Sequence, residues 1–567
     1  MRYDLVIRNG MVVDGTGMPA YRADVGVLDG RIATIGRVRD KADEEIDAEG
    51  HVVTPGFIDG HTHMDAQIFW DYLGTCSAWH GTTTAVMGHC GFTLAPATPE
   101  KRALVVRNLE RAEDISPAAM AAGIDWTWTT FREYLDAVDA LPKGINYASN
   151  IGHSALRTYV MGERAFDQPS TDTDMAAMEA ELRDALHAGA IGFTTSRSDQ
   201  HETSDNRPVA SRLASWDEVC RLISVMTDLG TGTFQLASEP AGQSPDPEVR
   251  KEYFDRLRTL ALSSRVPISF GVSPTAGGRA AIEMIDDVCA QGGRMFGLSH
   301  SRGISVITSF KSRLAFDVLA EWKELRALPL DEQKHLLRDD AVRARLVDAA
   351  HHGNYGRPIG AEARKPDYDR MRVFDHPLVP FNASVAEVAA KRGVDPVELI
   401  IDLALESNME QFFVQPLTPG TVDDLIPVMR HPRSVMTFSD SGAHVSQIAD
   451  FSIQTHLLAY WVRERQEFSI EEAVRMLTLA PSAAWGFHDR GLLREGLRAD
   501  INVFDTATIG PEMPTVEHDL PGGARRLVQK ASGFKATIVN GQALVRDGAH
   551  TGAYPGQLLR GPLAASR

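Results

Sequence analysis

The chain has 567 residues, too many for one compact core, so two domains are expected. Apolar residues make up 43% and charged residues 24%, as in ordinary soluble globular proteins, and no run of 18 apolar residues offers a membrane span. The net charge of −18 argues against nucleic acid or an anionic membrane surface as a partner. The four cysteines, Cys76, Cys90, Cys220 and Cys289, are widely spaced and form no Cys-x-x-Cys pair. That suggests a reducing compartment with at most one of them chemically employed. Met1-Arg2-Tyr3-Asp4 starts a strand rather than a signal-peptide core, so a cytoplasmic location is expected.

Residues 3–53 read as short strands with tight turns. Asn9-Gly10 and Asp29-Gly30 lie between apolar runs, which predicts hairpins at both. The far end matches: 499–504 reads as a strand, and 536–545 as a hairpin about Asn540-Gly541. Residues 1–54 and 491–555 are therefore expected to form one small β-sandwich domain, with 556–567 as a C-terminal tail.

Between them, 55–490 alternates strands with helical stretches. The candidate strands are 56–59, 83–88, 145–150, 191–195, 232–236, 267–271, 295–298 and 434–438. Helical spacing separates most of them, as in 173–188, where Met175, Met178, Leu182 and Leu186 recur on one face. Eight strands alternating with helices predict a (β/α)8 TIM barrel with its active site at the strands' C-terminal ends. The stretch 304–430 is too long for one connection; it carries a charged helical run over 328–349 and reads as an inserted lid or interface.

Candidate chemistry clusters at those strand ends. The first strand ends Asp59-Gly60-His61-Thr62-His63, and alternation along a strand points His61 and His63 the same way. Two imidazoles on one face suit a borderline divalent ion such as zinc. The second ends Gly88-His89-Cys90-Gly91, where Cys90 can bring a thiolate to a metal, or remain a buried inert cysteine. The eighth ends Phe438-Ser439-Asp440-Ser441, whose Asp440 suits a metal ligand and proton carrier, or a helix cap. His153, Arg197, His201 and His300 follow strands 3, 4 and 7, His444 follows strand 8, and they make a polar mouth suited to binding a substrate with an acidic group.

Together these motifs resemble the amidohydrolase superfamily, and more closely its N-acyl-D-amino-acid deacylase (D-aminoacylase) branch. The resemblance runs from Val53-Thr54-Pro55-Gly56 through His61 and His63, Gly88–Gly91, Gly152–Arg157, Gly189–Phe193 and Phe438–Asp440 to 491–501. It implies that His61, His63 and Asp440 are metal ligands, that Asp440 is also the proton shuttle, and that Cys90 replaces the carboxylated lysine of many relatives. The histidines that D-aminoacylases supply from strands 5 and 6 are absent, as Gln235–Glu239 and Gly271–Pro274 stand there. His201, His300 or Glu239 would complete the site from elsewhere. An arginine after the strand-8 aspartate is also missing, with Ser446–Asp450 in its place.

The expectation is thus an amidohydrolase with one Zn2+ per chain and room for a second. It would cleave a C–N amide bond in a small, carboxylate-bearing N-acyl compound and form a homo-oligomer. The rivals are a cyclic-amide hydrolase or a decarboxylase on the same scaffold, and a catalytically silent binding protein.

Overall fold

All eight candidate strands become staves of one closed barrel in the computed structural model, which describes residues 2–564. In chain order they are β1 (Phe57–Asp59, continued by His61–Thr62), β2 (Thr82–Met87), β3 (Asn146–Ser149, continued by Ile151–Gly152), β4 (Gly192–Ser196), β5 (Thr233–Ala237), β6 (Ile268–Gly271), β7 (Met295–Ser299) and β8 (Ser434–Met436, continued by Phe438–Ser441). Every neighbouring pair is parallel, and β8 closes on β1 through Phe438↔His61 and Ser441↔Thr62. The strands are almost wholly buried because helices cover them outside and side chains fill them inside. The crossover helix Asp172–Ala188 shows the local logic: Thr171 and Asp174 form a capping box at its start, and Gly189, at φ 115, ends it.

Both chain ends share one nine-stranded sheet, in which Val52–Pro55 pairs with Ile501–Phe504. Asp29-Gly30 and Asn540-Gly541 turn hairpins as expected, all four residues at positive φ. Asn9-Gly10 does not. Tyr3–Val12 is one strand with a bulge there, where Asp24 accepts from the Asn9 backbone N–H and Asp47 from its side-chain amide, each at 3.0 Å. The bulge lets one strand change partners, from Ala42–Asp47 before it to Val52–Pro55 after it. Local turn chemistry was the same at all three sites; long-range pairing decided between bulge and hairpin.

The insertion has its own hydrophobic core, with Trp322 buried against Phe316 at a ring separation of 4.5 Å. Its sheet is antiparallel, with Phe412–Pro416 between Ser305–Thr308 and Arg372–Phe374. The charged run expected over 328–349 is two helices, Leu330–Leu336 and Asp340–His352. Asp339 breaks it by capping the Ala341 and Val342 amides. At the opposite end of the barrel the tail binds backbone to backbone, Gly556 to Lys143, Leu559 to Tyr147 and Gly561 to Gly189, while residues 565–567 lie outside the described part. Among the described residues no helix is long and apolar enough to cross a membrane.

The β domain is tied to the barrel by Asp500, whose buried carboxylate accepts from Arg490 at 2.6 Å, Asn146 of β3 at 3.1 Å and the Asn540 amide at 2.7 Å. Replacing Asp500 by Ala leaves buried Arg490 with only the half-exposed Asp489 as counter-charge, and strips the Asn146 side chain and the Asn540 amide of their acceptor. The expected loss is about 3–5 kcal/mol, read from denaturant midpoints, against less than about 1 kcal/mol for Asp43→Ala in the exposed Arg2 pair.

Candidate metal centre

Closure of the barrel sets His61, His63, Cys90 and Asp440 around one point. Asp440 Oδ1 lies 3.2 Å from His61 Nε2 and 3.5 Å from His63 Nε2, and Cys90 Sγ is 3.6 Å from His61 Nε2. The ligand atoms of His61, His63 and Cys90 all fall within 4.8 Å of one another. Ligands bonded at 2.0–2.3 Å in a tetrahedron stand about 3.3–3.8 Å apart, so these separations fit a zinc-like ion. The donor chemistry, two imidazoles, a thiol and a carboxylate, fits equally well.

Local backbone geometry places the two non-histidine donors. Cys90 has φ 54 and Asp440 φ 53, both in the left-handed region. Such conformations are costly for residues with a Cβ and persist where the surroundings impose them. Gly88 and Gly91 flank the His89-Cys90 pair at φ 77 and 80, and a Cβ on Gly88 would meet the Asn150 carbonyl at 2.5 Å. Asp65 accepts from the Gly88 amide and Gln235 from the Cys90 amide, which hold the turn down onto the barrel. His89 points under the site and stacks on His61 at 4.2 Å.

One further acid completes the cluster, and sequence reasoning did not single it out. Glu113 follows the helix Arg102–Glu110 and is buried, with Oε2 3.6 Å from His63 Nε2 and 3.9 Å from His444 Nε2, and Oε1 4.0 Å from His201 Nε2. Its carbonyl accepts from the His444 amide at 2.7 Å, which ties it to the loop after β8. No motif, apolar period or strand-end position marks Glu113 in the sequence.

The other predicted residues divide. His201 and His444 line the cavity above the cluster, which holds about 450 Å³. His153 is bound by Thr195 at 2.8 Å and Glu218 at 2.9 Å, part of a buried pair with Arg157 behind β3 and β4. Arg197 lies against Glu239, which also takes Arg256, so neither Arg197 nor Glu239 reaches the cluster. His300 faces Asp450 at 3.1 Å, beside Arg302. His153, Arg197 and His300 thus sit in ion-pair networks rather than at the cavity wall. One cavity cation comes instead from the insertion: Arg364, the only lysine or arginine among the lining residues.

Burial dominates the electrostatics. It takes His61 down to about 4 and pushes Cys90 up to about 11 and Glu113 up to about 8, the last aided by Asp440 and Asp65 and opposed by His63. At His63 burial is outweighed by Glu113, Asp440 and Cys90, which hold its proton well above the usual range. At Asp440 the two histidines outweigh burial and keep the carboxylate charged. Cys90, Glu113 and His63 thus hold their protons beside a charged Asp440. A divalent cation would displace those protons, so the residues present fit a metal.

The model of the amidohydrolase family matches residues 44–545, and the chain belongs to that family. It is a hydrolase acting on C–N bonds other than peptide bonds, in the D-aminoacylase-like branch. An N-acyl-D-glutamate deacylase of Alcaligenes xylosoxydans xylosoxydans is 29% identical over 580 residues, covering 99% of this chain and 97% of that protein. A D-aminoacylase of the same organism is 28% identical over 585 residues, covering 98% and 97%. The structure of N-acyl-D-glutamate deacylase from Bordetella bronchiseptica, complexed with zinc and a phosphonate inhibitor, matches with a TM-score of 0.64 at 24% identity over 99% of this chain and 100% of that one. At that identity the match speaks for the fold.

Glu218 provides a pH test of the network around His153. Burial raises its carboxyl, but His153 and Arg157 outweigh this and bring it down to about 2 from the ordinary 4.5. A depressed acid stabilises the fold above its unfolded value, and that contribution is lost as pH falls from 4.5 towards 2. Glu218→Gln is expected to lower stability at pH 7 by about 3 kcal/mol and to flatten the decline between those pH values. Parallel acid unfolding curves for the two proteins would disprove this assignment.

Proposed function

We propose that this chain is a zinc-dependent deacylase of N-acyl amino acids, with His61, His63, Cys90 and Asp440 as metal ligands. The observation that carries the reading is the convergence of those donors at the barrel mouth: Asp440 lies 3.2 and 3.5 Å from the two histidines and Cys90 3.6 Å from His61, with His61, His63 and Cys90 all within 4.8 Å of one another. The deacylase names of relatives that align over nearly the whole chain support the acyl–nitrogen bond as its target.

Bound zinc would polarise the scissile carbonyl and lower the pKa of the attacking water from ~15.7 towards ~7. Asp440 receives the proton from that water and returns it to the leaving nitrogen. Its Oδ1 is held between two imidazoles, and its left-handed backbone aims the carboxylate at the cavity. Gly442, at φ 96, keeps this geometry because a Cβ there would meet the His63 carbonyl at 2.4 Å. Arg364 stands where an acidic substrate needs a counter-charge, and takes over the part of the arginine missing after β8. Its Nε and one Nη are held by the Glu362 and Gly360 carbonyls, so the guanidinium is pre-oriented. Apolar wall from Leu236, Ile304, Leu417 and Ile448 suits an acyl chain.

The test is metal content by elemental analysis of protein purified without chelator, followed by a panel of N-acyl-D- and N-acyl-L-amino acids and a cyclic amide. Zinc that is lost in His61→Ala, with turnover confined to N-acyl amino acids, is the expected result. Active wild-type protein free of metal would end this reading, and turnover of the cyclic amide alone would move it to another amidohydrolase reaction. Asp440→Asn should lower kcat by about 10²–10⁴ with the fold intact by circular dichroism. Arg364→Gln should lower kcat/KM about 10–100-fold, mainly through KM, for acidic substrates.

A further inference from the structure

We propose that Cys90, Glu113 and His201 form a second metal site that shares the Cys90 thiolate with the first. It rests on the reading of His61, His63, Cys90 and Asp440 as the first site, and uses donors that no relative's name or likeness assigns.

Three observations meet here. Cys90, Glu113 and His201 bring a sulfur, an oxygen and a nitrogen within 4.8 Å of one another, all inside the cavity wall. Sulfur, nitrogen and oxygen together suit a borderline divalent ion such as zinc. Glu113 is 3% exposed, and its Oε1, the oxygen nearest His201, has no hydrogen-bond partner. A buried carboxylate oxygen without a donor is costly, and a cation removes that cost. The third observation is orientation. His201 Nδ1 lies 2.6 Å from Ser196 Oγ at the end of β4, and donation along that contact leaves the Nε2 lone pair directed at Glu113.

The supporting shell holds Glu113 in place from both sides. Its amide donates to Leu109 and its carbonyl accepts from His444, while the adjoining Asp114 takes Arg313 of the insertion and Ser446 of the loop after β8. The two carboxylate oxygens face different imidazoles, Oε2 towards His63 and Oε1 towards His201, so Glu113 stands between the two sites. At the ends of β5 and β6 the cavity offers only neutral Gln235, Ser238 and Ser273. A second ion therefore finds its donors on the β4 and Glu113 side, and not where D-aminoacylases carry two histidines.

The experiment strips the full-length protein with chelator, reloads it with excess zinc, removes free metal by gel filtration and measures zinc per chain. A parallel titration with Co2+ follows the thiolate-to-metal absorption, a readout independent of turnover. Two ions in the wild type, falling to one in His201→Gln and in the isosteric Glu113→Gln with the fold retained by circular dichroism, are the expected results. The second Co2+ equivalent should bind at least about 10-fold more weakly in each variant. One zinc in the wild type that disappears in His61→Ala overturns the second site and leaves the first standing. Two zincs retained in His201→Gln overturn the ligand assignment, and no zinc in the wild type overturns both sites.

Discussion

The pairing of the last barrel strand with the first is the contact on which the rest depends. Phe438 aligns with His61 and Ser441 with Thr62, and the His63 amide donates to the Ser441 carbonyl at 2.7 Å. Between those two registers the eighth strand departs from regular pairing, and Asp440 takes its left-handed conformation there. Residues almost 380 positions apart in the chain are thereby set within hydrogen-bond range. A flat sheet with the same strands would not bring Asp440 to His61 and His63.

Around that seam the molecule concentrates polar groups that are costly to bury. Two carboxylates, a thiol and four imidazoles meet at the barrel mouth, and several of their atoms have no hydrogen-bond partner within the protein. Three buried acids elsewhere are matched: Glu218 with Arg157 and His153, Asp500 with Arg490, Asp450 with Arg302 and His300. The contrast is informative because buried acids are normally paired. A centre of converging donors with unpartnered atoms suits a cation from outside the chain, whereas the matched networks are structural.

The barrel and much of its mouth were legible in the sequence for physical reasons. Barrel strands buried on both faces read as short apolar runs between helices, and the donors on β1, β2 and β8 lie within three residues of strand ends. His153, Arg197 and His300 also follow strands, yet each bonds an acid that a linear reading does not place beside it: Glu218, Glu239 and Asp450. Glu113 and Arg364 escaped for the opposite reason. They sit on irregular segments whose course is set by distant contacts, Glu113 by the His444 amide and Arg364 by the fold of the insertion. Likewise Asn9-Gly10 has the chemistry of a hairpin, but the partners on either side of its strand make it a bulge.

On the proposed function, one metal ion sits where the first and last strands join. The most direct measurement is anomalous scattering across the zinc absorption edge from crystals of the zinc-loaded protein. A peak about 2.0–2.3 Å from His61 Nε2, His63 Nε2, Cys90 Sγ and an Asp440 oxygen is expected. Zinc bound elsewhere on the chain, with no peak among those four side chains, would contradict it.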